Sequence, residues 1–219
     1  MGIAIVSCDS SDENRLPDTG TDYFPLRKGV FQVYDVTEVV YTLGEPETLT
    51  YELKVMVSDS FPNAEGGYSY VIYRSKRNQG NTEFVPLDTW SARKDAREIV
   101  VNEENISFFK IKLPVAKNEE WDGNLYNTKG EDVYTIQDVK TPYAVNGTVH
   151  EDCIVVHQND NEDFVVSLDQ RQEIYARHIG LIYKEARLLN YCSVGDCLGK
   201  QQVESGVIYT QSIKAHGVE

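Results

Sequence analysis

The sequence predicts a mainly β protein: a single antiparallel sheet of about ten strands with little helix. Three observations predict it. First, short segments with apolar and polar residues in alternation recur along the chain, the period-2 mark of a strand with one wet face. Second, the connections between them are short, and parallel neighbours would need crossovers of a dozen or more residues. Third, tyrosine is frequent, at 14 of 219 residues, and aromatic side chains suit half-buried strands.

The first stretch, residues 1–22, stands apart. Ile5-Val6-Ser7-Cys8 resembles a bacterial lipobox, in which small or apolar residues precede a cysteine that receives lipid. The apolar run before Cys8 is shorter than the ~7–15 residues of an export signal. Residues 1–8 therefore read as the remnant of a lipoprotein signal, and residues 9–22, rich in Asp, Ser and Thr, as a solvated tether. The alternative is an ordinary frayed terminus with a free cysteine. No later stretch approaches the ~18 apolar residues of a membrane helix.

Residues 23–219 read as one all-β domain. Tyr23-Phe24-Pro25-Leu26 opens it, followed by a β-rich run from Val30 to Leu43 and a turn at Gly44-Glu45-Pro46-Glu47. Next comes the cleanest alternation: Tyr51, Leu53, Val55 and Val57 share one face, with Glu52, Lys54 and Ser58 on the other. After the strand 68–76, the segment 82–105 admits a short helix on Ala92, Ala96 and Ile99 or a hairpin turning at Lys94-Asp95. Trp90 and Ile99-Val100-Val101 are strand-like on both sides and favour the hairpin. In 106–114, Phe109, Ile111 and Leu113 face the core, and Lys110 and Lys112 face solvent. The turn-rich stretch 117–132 carries Trp121 and Tyr126, aromatics that either pin the loop onto the core or form an exposed binding surface. Further strands are expected at 132–139, 147–158, 163–180, 181–192 and 206–217, separated by turns at 141–146, 159–162 and 192–205. Ile174 to Cys192 reads as one long strand bent at Gly180, where a glycine marks a bulge or a close approach.

The charge balance is 35 acidic against 21 basic residues, a net −14. Nucleic acid is excluded as a partner, because phosphate contacts need clustered Lys and Arg. An anionic membrane surface is disfavoured for the same reason, which leaves membrane contact to a lipid anchor. Hydrophobic residues at 41% are enough for a packed core.

Of the four cysteines, Cys192 and Cys197 can close a disulfide across a tight turn with Gly195 at its tip, a bond an exported protein permits. Cys153, in an apolar strand, reads as a buried core thiol. His150, Cys153 and His157 do not make a metal site: His150 faces away from the other two, which stand about 13 Å apart on a strand. Asn159 to Asp163 lacks the spacing and late bidentate Glu of a calcium loop and reads as a hairpin turn. No nucleophile elbow, phosphate loop, dinucleotide fingerprint or zinc-protease motif occurs, and no carboxylate pair is singled out by spacing. The sequence thus names no catalytic residue, metal or cofactor.

Short motifs spread over nearly the whole chain resemble a family of uncharacterised lipoproteins of the Bacteroidota cell envelope. They are Tyr23-Phe24-Pro25-Leu26; Trp90 to Lys94; Lys112-Leu113-Pro114-Val115 leading into Trp121 to Asn127; Asn146-Gly147; Tyr175 to Glu185; and Ser205 to Thr210. The longest, Tyr175 to Glu185, is also similar to a strand of envelope proteins with an open, strongly curved sheet, of which LolA and LolB carriers are examples. That resemblance implies a half-barrel or open barrel. It implies an outer-membrane-anchored address, periplasmic or surface-facing, and no catalytic residue. His178 departs from the pattern, as does the lack of a long helix for the concave side. Three functions follow as expectations. The first is a non-catalytic module binding a protein or glycan. The second is a carrier or sensor of an apolar ligand in a concave face. The third is an envelope hydrolase.

Overall fold

The computed structural model describes residues 18–219; Cys8 and most of the tether lie outside them. Twelve strands, rather than about ten, form one antiparallel sheet in the order β6-β5-β4-β3-β2-β1-β12-β11-β10-β9-β8-β7. They are β1 (Val30–Thr42), β2 (Glu45–Pro62), β3 (Tyr68–Asn78), β4 (Val85–Lys94), β5 (Glu98–Glu103), β6 (Ile106–Lys112), β7 (Glu120–Asp122), β8 (Val133–Val145), β9 (Thr148–Asp163), β10 (Ser167–Ala176), β11 (Gly180–Tyr191) and β12 (Val203–Val218). Every neighbouring pair in this order is consecutive in the chain except β1 and β12, which unite the two halves; β6 and β7 are its two ends. Helix among the described residues is limited to 3-10 turns at Thr21–Tyr23 and Gly195–Cys197.

The sheet curls until its two edge strands meet, giving a nearly closed barrel. The Phe109 amide donates to the Gly123 carbonyl at 2.9 Å, and Trp121 Nε1 donates to the Phe109 carbonyl at 2.8 Å. The seam is packed by Phe109, Trp121 and Tyr134, with Trp121 edge-on to Tyr134 at 5.9 Å. Because β7 is only three residues long, much of β8 has no outer neighbour. That edge carries register shifts between Ile136 and Tyr143, a left-handed Lys140 (φ 53°) and Pro142. Bulges, lysine and proline all blunt an open edge against pairing with another chain.

The alternation of β2 holds: Leu53 and Val57 are buried and line the barrel interior with Val55. The hairpin at Lys94-Asp95 is also present, with Ser91–Lys94 paired to Ile99–Asn102. Three readings are corrected. Ile174 to Cys192 is not one bent strand but the end of β10, a turn, and β11, with Ala176 paired to Gly180. The segment 141–145 is strand, and the turn is Asn146-Gly147. Asn159–Asp163 is the end of β9, and its turn falls at 164–166, where Asp163 Oδ1 accepts from the Val165 amide. In each case turn-forming or apolar residues were weighed locally, while strand pairing with a neighbour decided the outcome.

The N-terminal segment closes one end of the barrel. Tyr23 is fully buried in the same core as Trp121, Tyr134 and Tyr175. Phe24, Pro25 and Leu26 line the interior. Lys94 Nζ donates to the carbonyls of Thr21 and Phe24 at 3.1 and 3.0 Å. The reading of 9–22 as free tether is therefore corrected at its end: Asp18 to Asp22 lie on the barrel.

Candidate functional site

Two places concentrate chemistry: the stopper at the barrel end, and the charged interior behind it. At the stopper, Arg177 sits in the β10–β11 turn. Its guanidinium donates to Asp152 at 2.7 Å and to Asp18 at 2.9 and 3.1 Å, and lies 4.6 Å from the centre of the Tyr23 ring. Tyr23 Oη donates to Asp152. Bonds from Arg177 hold the exposed Asp18 carboxyl below the usual carboxylate range. The His178 amide donates to the Asp22 carbonyl at 2.8 Å. The two motifs Tyr23 to Leu26 and Tyr175 to Glu185 thus meet in space.

Gly180 belongs to this junction. Its φ of +96° is a region L side chains rarely adopt, and an added Cβ would stand 3.2 Å from Pro25 and 3.3 Å from Gln32. Gln32 Nε2 donates to the Ile179 carbonyl at 2.8 Å and fixes the turn. Gly180→Val should lower unfolding free energy by about 1–3 kcal/mol, read by denaturant titration; an unchanged midpoint would mean the turn carries no such constraint.

The interior is a small cavity of about 90 Å³ walled by Leu53, Val55, Val57, Ile72 and Val101 together with charged residues. Lys110 is buried there, with Nζ 2.6 Å from Glu173 and 3.3 Å from Glu103. Lys184 approaches Glu173 at 3.2 Å, and Tyr175 Oη donates to Glu173 at 2.5 Å. Burial opposes charge on Lys110, but Glu103 and Glu173 outweigh it and raise its pKa. Burial likewise pushes the Glu173 carboxyl up, yet the Lys110 and Lys184 ammoniums with the Lys110 and Tyr175 bonds bring it down to about 2. Both stay ionised at neutral pH, as a mutually satisfied network. Toward the other end of the barrel, Arg74 pairs with Asp88 at 2.7 Å and stacks over Trp90, 3.7 Å from its ring centre.

Sequence reading placed Lys110 in solvent. The partner of Ile99 is Ile111 and that of Val100 is Phe109, so Lys110 is the extra residue of a bulge and turns inward. A depressed Glu173 stabilises the fold above its unfolded pKa, near 4.5, and that stability is lost as pH falls through about 2. Unfolding free energy should fall by roughly 3 kcal/mol across this window through Glu173. In Glu173→Gln this part of the acid dependence should vanish, as measured by denaturant titration at each pH.

The residues proposed as a binding surface separate. Trp121 is only 7% exposed and is part of the seam, so it is not a surface anchor. Tyr126 is 43% exposed, but its hydroxyl donates to Glu98 at 2.6 Å and Arg93 stands 5.3 Å from its ring. Cys192 and Cys197 are joined by a disulfide with Cα atoms 5.8 Å apart, and Cys153 is a buried free thiol. Breaking the small disulfide loop with Cys192→Ser and Cys197→Ser should cost about 2 kcal/mol by the loop-entropy relation, read as a lowered melting temperature.

No known protein family matches the chain. No curated protein matches it either. Among solved structures, it is similar to a "putative exported protein with YmcC-like fold" from Bacteroides fragilis: TM-score 0.49, 10% identity, covering 89% of this chain and 98% of that one. It is also similar to a "putative lipoprotein" from Parabacteroides distasonis: TM-score 0.47, 12% identity, with the same coverage. At these values neither neighbour carries its description over to this chain.

Proposed function

We propose that this protein is a non-catalytic lipoprotein of the cell envelope, held to a membrane through lipid on Cys8, whose barrel is a binding or structural module. The lipobox-like Ile5 to Cys8 and the polar residues after it support the anchor. The observation that carries the rest is the filled interior. About 90 Å³ remains, against the ~300–1,000 Å³ of a small-molecule site. The charged groups on its wall neutralise one another. That space has room for only a few water molecules and is too small for an apolar cargo, which removes the support for a carrier. A hydrolase draws no support from Glu173, which is held ionised and walled in by Lys110, Lys184 and Tyr175.

Mass spectrometry of the full chain purified from its own cells tests this reading. The expected result is a mass increment of fatty acyl groups on Cys8, lost in Cys8→Ser, with no co-purifying apolar ligand. Recovery of unlipidated protein from the cytoplasm, or a retained lipid in the barrel, would overturn it.

A further inference from the structure

The barrel end remote from the stopper has an unusual surface. Thr42, Ser205, Asn190, Ser167 and Asp163 form one row across β1, β12, β11, β10 and β9. Just beyond this row lie three connections: the β1–β2 turn, the β9–β10 turn and the disulfide-closed β11–β12 loop. They are laced together. The Gly44 amide donates to the Glu204 carbonyl, the Tyr191 amide to Val166, and the Cys192 amide to Gln202. On these turns Leu43, Phe164, Val165, Val166, Val194 and Leu198 are 86, 63, 41, 49, 74 and 57% exposed. Four strand spacings separate β1 from β9, so the apolar tip is on the order of 20 Å wide. Large exposed apolar side chains gathered at one end of the barrel mark an interaction site. A disulfide and cross-turn bonds hold it in shape before binding, which lowers the ordering cost.

Charge selects the partner. Glu45, Glu47, Glu162, Asp163, Asp196 and Glu204 surround the apolar residues and are exposed. Lys200 is the only basic residue in the stretches 43–47, 160–166 and 192–204. An anionic bilayer would be repelled by this collar, and a second copy of the chain would bring like charges face to face. The described chain begins at the opposite end of the barrel. Asp18 is tied to Arg177, and β10 runs its ten residues from the tip to that turn, about 33 Å.

We propose that this tip is a docking surface for another protein that presents an apolar cleft rimmed by Lys and Arg. It rests on reading the chain as a binding module and adds where and what it binds.

The test is photo-crosslinking in the protein's own cells. Phe164 and Val194 are replaced, in separate full-length chains, by a photoreactive phenylalanine; Tyr68, exposed near the stopper end, is the control site. The expected result is one adduct with a different protein from both tip positions and none from Tyr68, with the joined partner peptide flanked by Lys or Arg. Glu45→Gln, Glu47→Gln, Asp196→Asn and Glu204→Gln together should lower its yield about fivefold or more through lost charge attraction. Any of four outcomes overturns the proposal: no tip adduct, an adduct with a second copy, an adduct with lipid, or a yield unmoved by neutralisation. The Cys8 mass is read in the same samples. Lipid without an adduct sinks the docking surface alone, and an adduct without lipid sinks the envelope anchor alone.

Discussion

Lys110→Ala should be the most damaging single substitution in the barrel, lowering unfolding free energy by about 3–5 kcal/mol. Lys110 Nζ lies between the carboxylates of Glu103 and Glu173, and Glu173 is 1% exposed. Removing the ammonium leaves the buried Glu173 carboxylate with Lys184 alone and takes from the half-buried Glu103 the ammonium it pairs with. The loss should be non-additive. Adding Glu173→Gln to Lys110→Ala removes the stranded charge, so the double variant should be more stable than Lys110→Ala alone. Denaturant unfolding of both variants checks this. A double variant as unstable as the sum of the two single losses would mean the network is not coupled, and a single loss under about 1 kcal/mol would mean that water already compensates these charges.

Gly123→Ala should cost about 3 kcal/mol for a different reason, overpacking at the seam. Gly123 stands against the Tyr134 ring, and an added Cβ would come within 3.0 Å of three of its atoms. That ring is 2% exposed and meets Trp121 edge-on, so it has no free direction in which to move. The Gly123 carbonyl also accepts the Phe109 amide that joins the sheet's two edges. Amide hydrogen exchange would separate this from a general loss of stability. Phe109 should lose protection more than Tyr34, which lies mid-sheet in β1. Equal losses would mean the seam opens only with the whole fold.

These two residues also show what was legible in the sequence. Alternation in 51–58 gave the interior face of β2 because nothing interrupts the pleat there: Leu53 and Val57 are buried as expected. The hairpin around Asp95 was legible for the same reason, with strand-like residues flanking it on both sides. Lys110 was not, since one extra residue in β6 turns it from the solvent face to the interior, and no local pattern marks a bulge whose cause is the register against β5. Glu173 was hidden likewise: its partners Lys110 and Lys184 come from other strands, and a buried carboxylate is invisible until they are placed. Trp121 was read both ways, as core anchor and as surface patch. Only the closure of the barrel decides, by giving its indole the Phe109 carbonyl. The apolar tip escaped notice because Leu43, Phe164 and Val194 are far apart in sequence, and long-range pairing alone gathers them.

The stopper has a mechanical consequence. The chain passes from Asp18, bound by Arg177, through the buried Tyr23 directly into β1, which lies between β2 and β12 with a pairing partner on both sides. A pull on the tether is directed along β1, against rungs on two neighbours at once. Such a load is borne in shear, shared by many hydrogen bonds, and does not peel them apart one by one. The strand that takes the strain is the one joining the two halves of the sheet, so the load enters at the middle of the sheet and not at either edge.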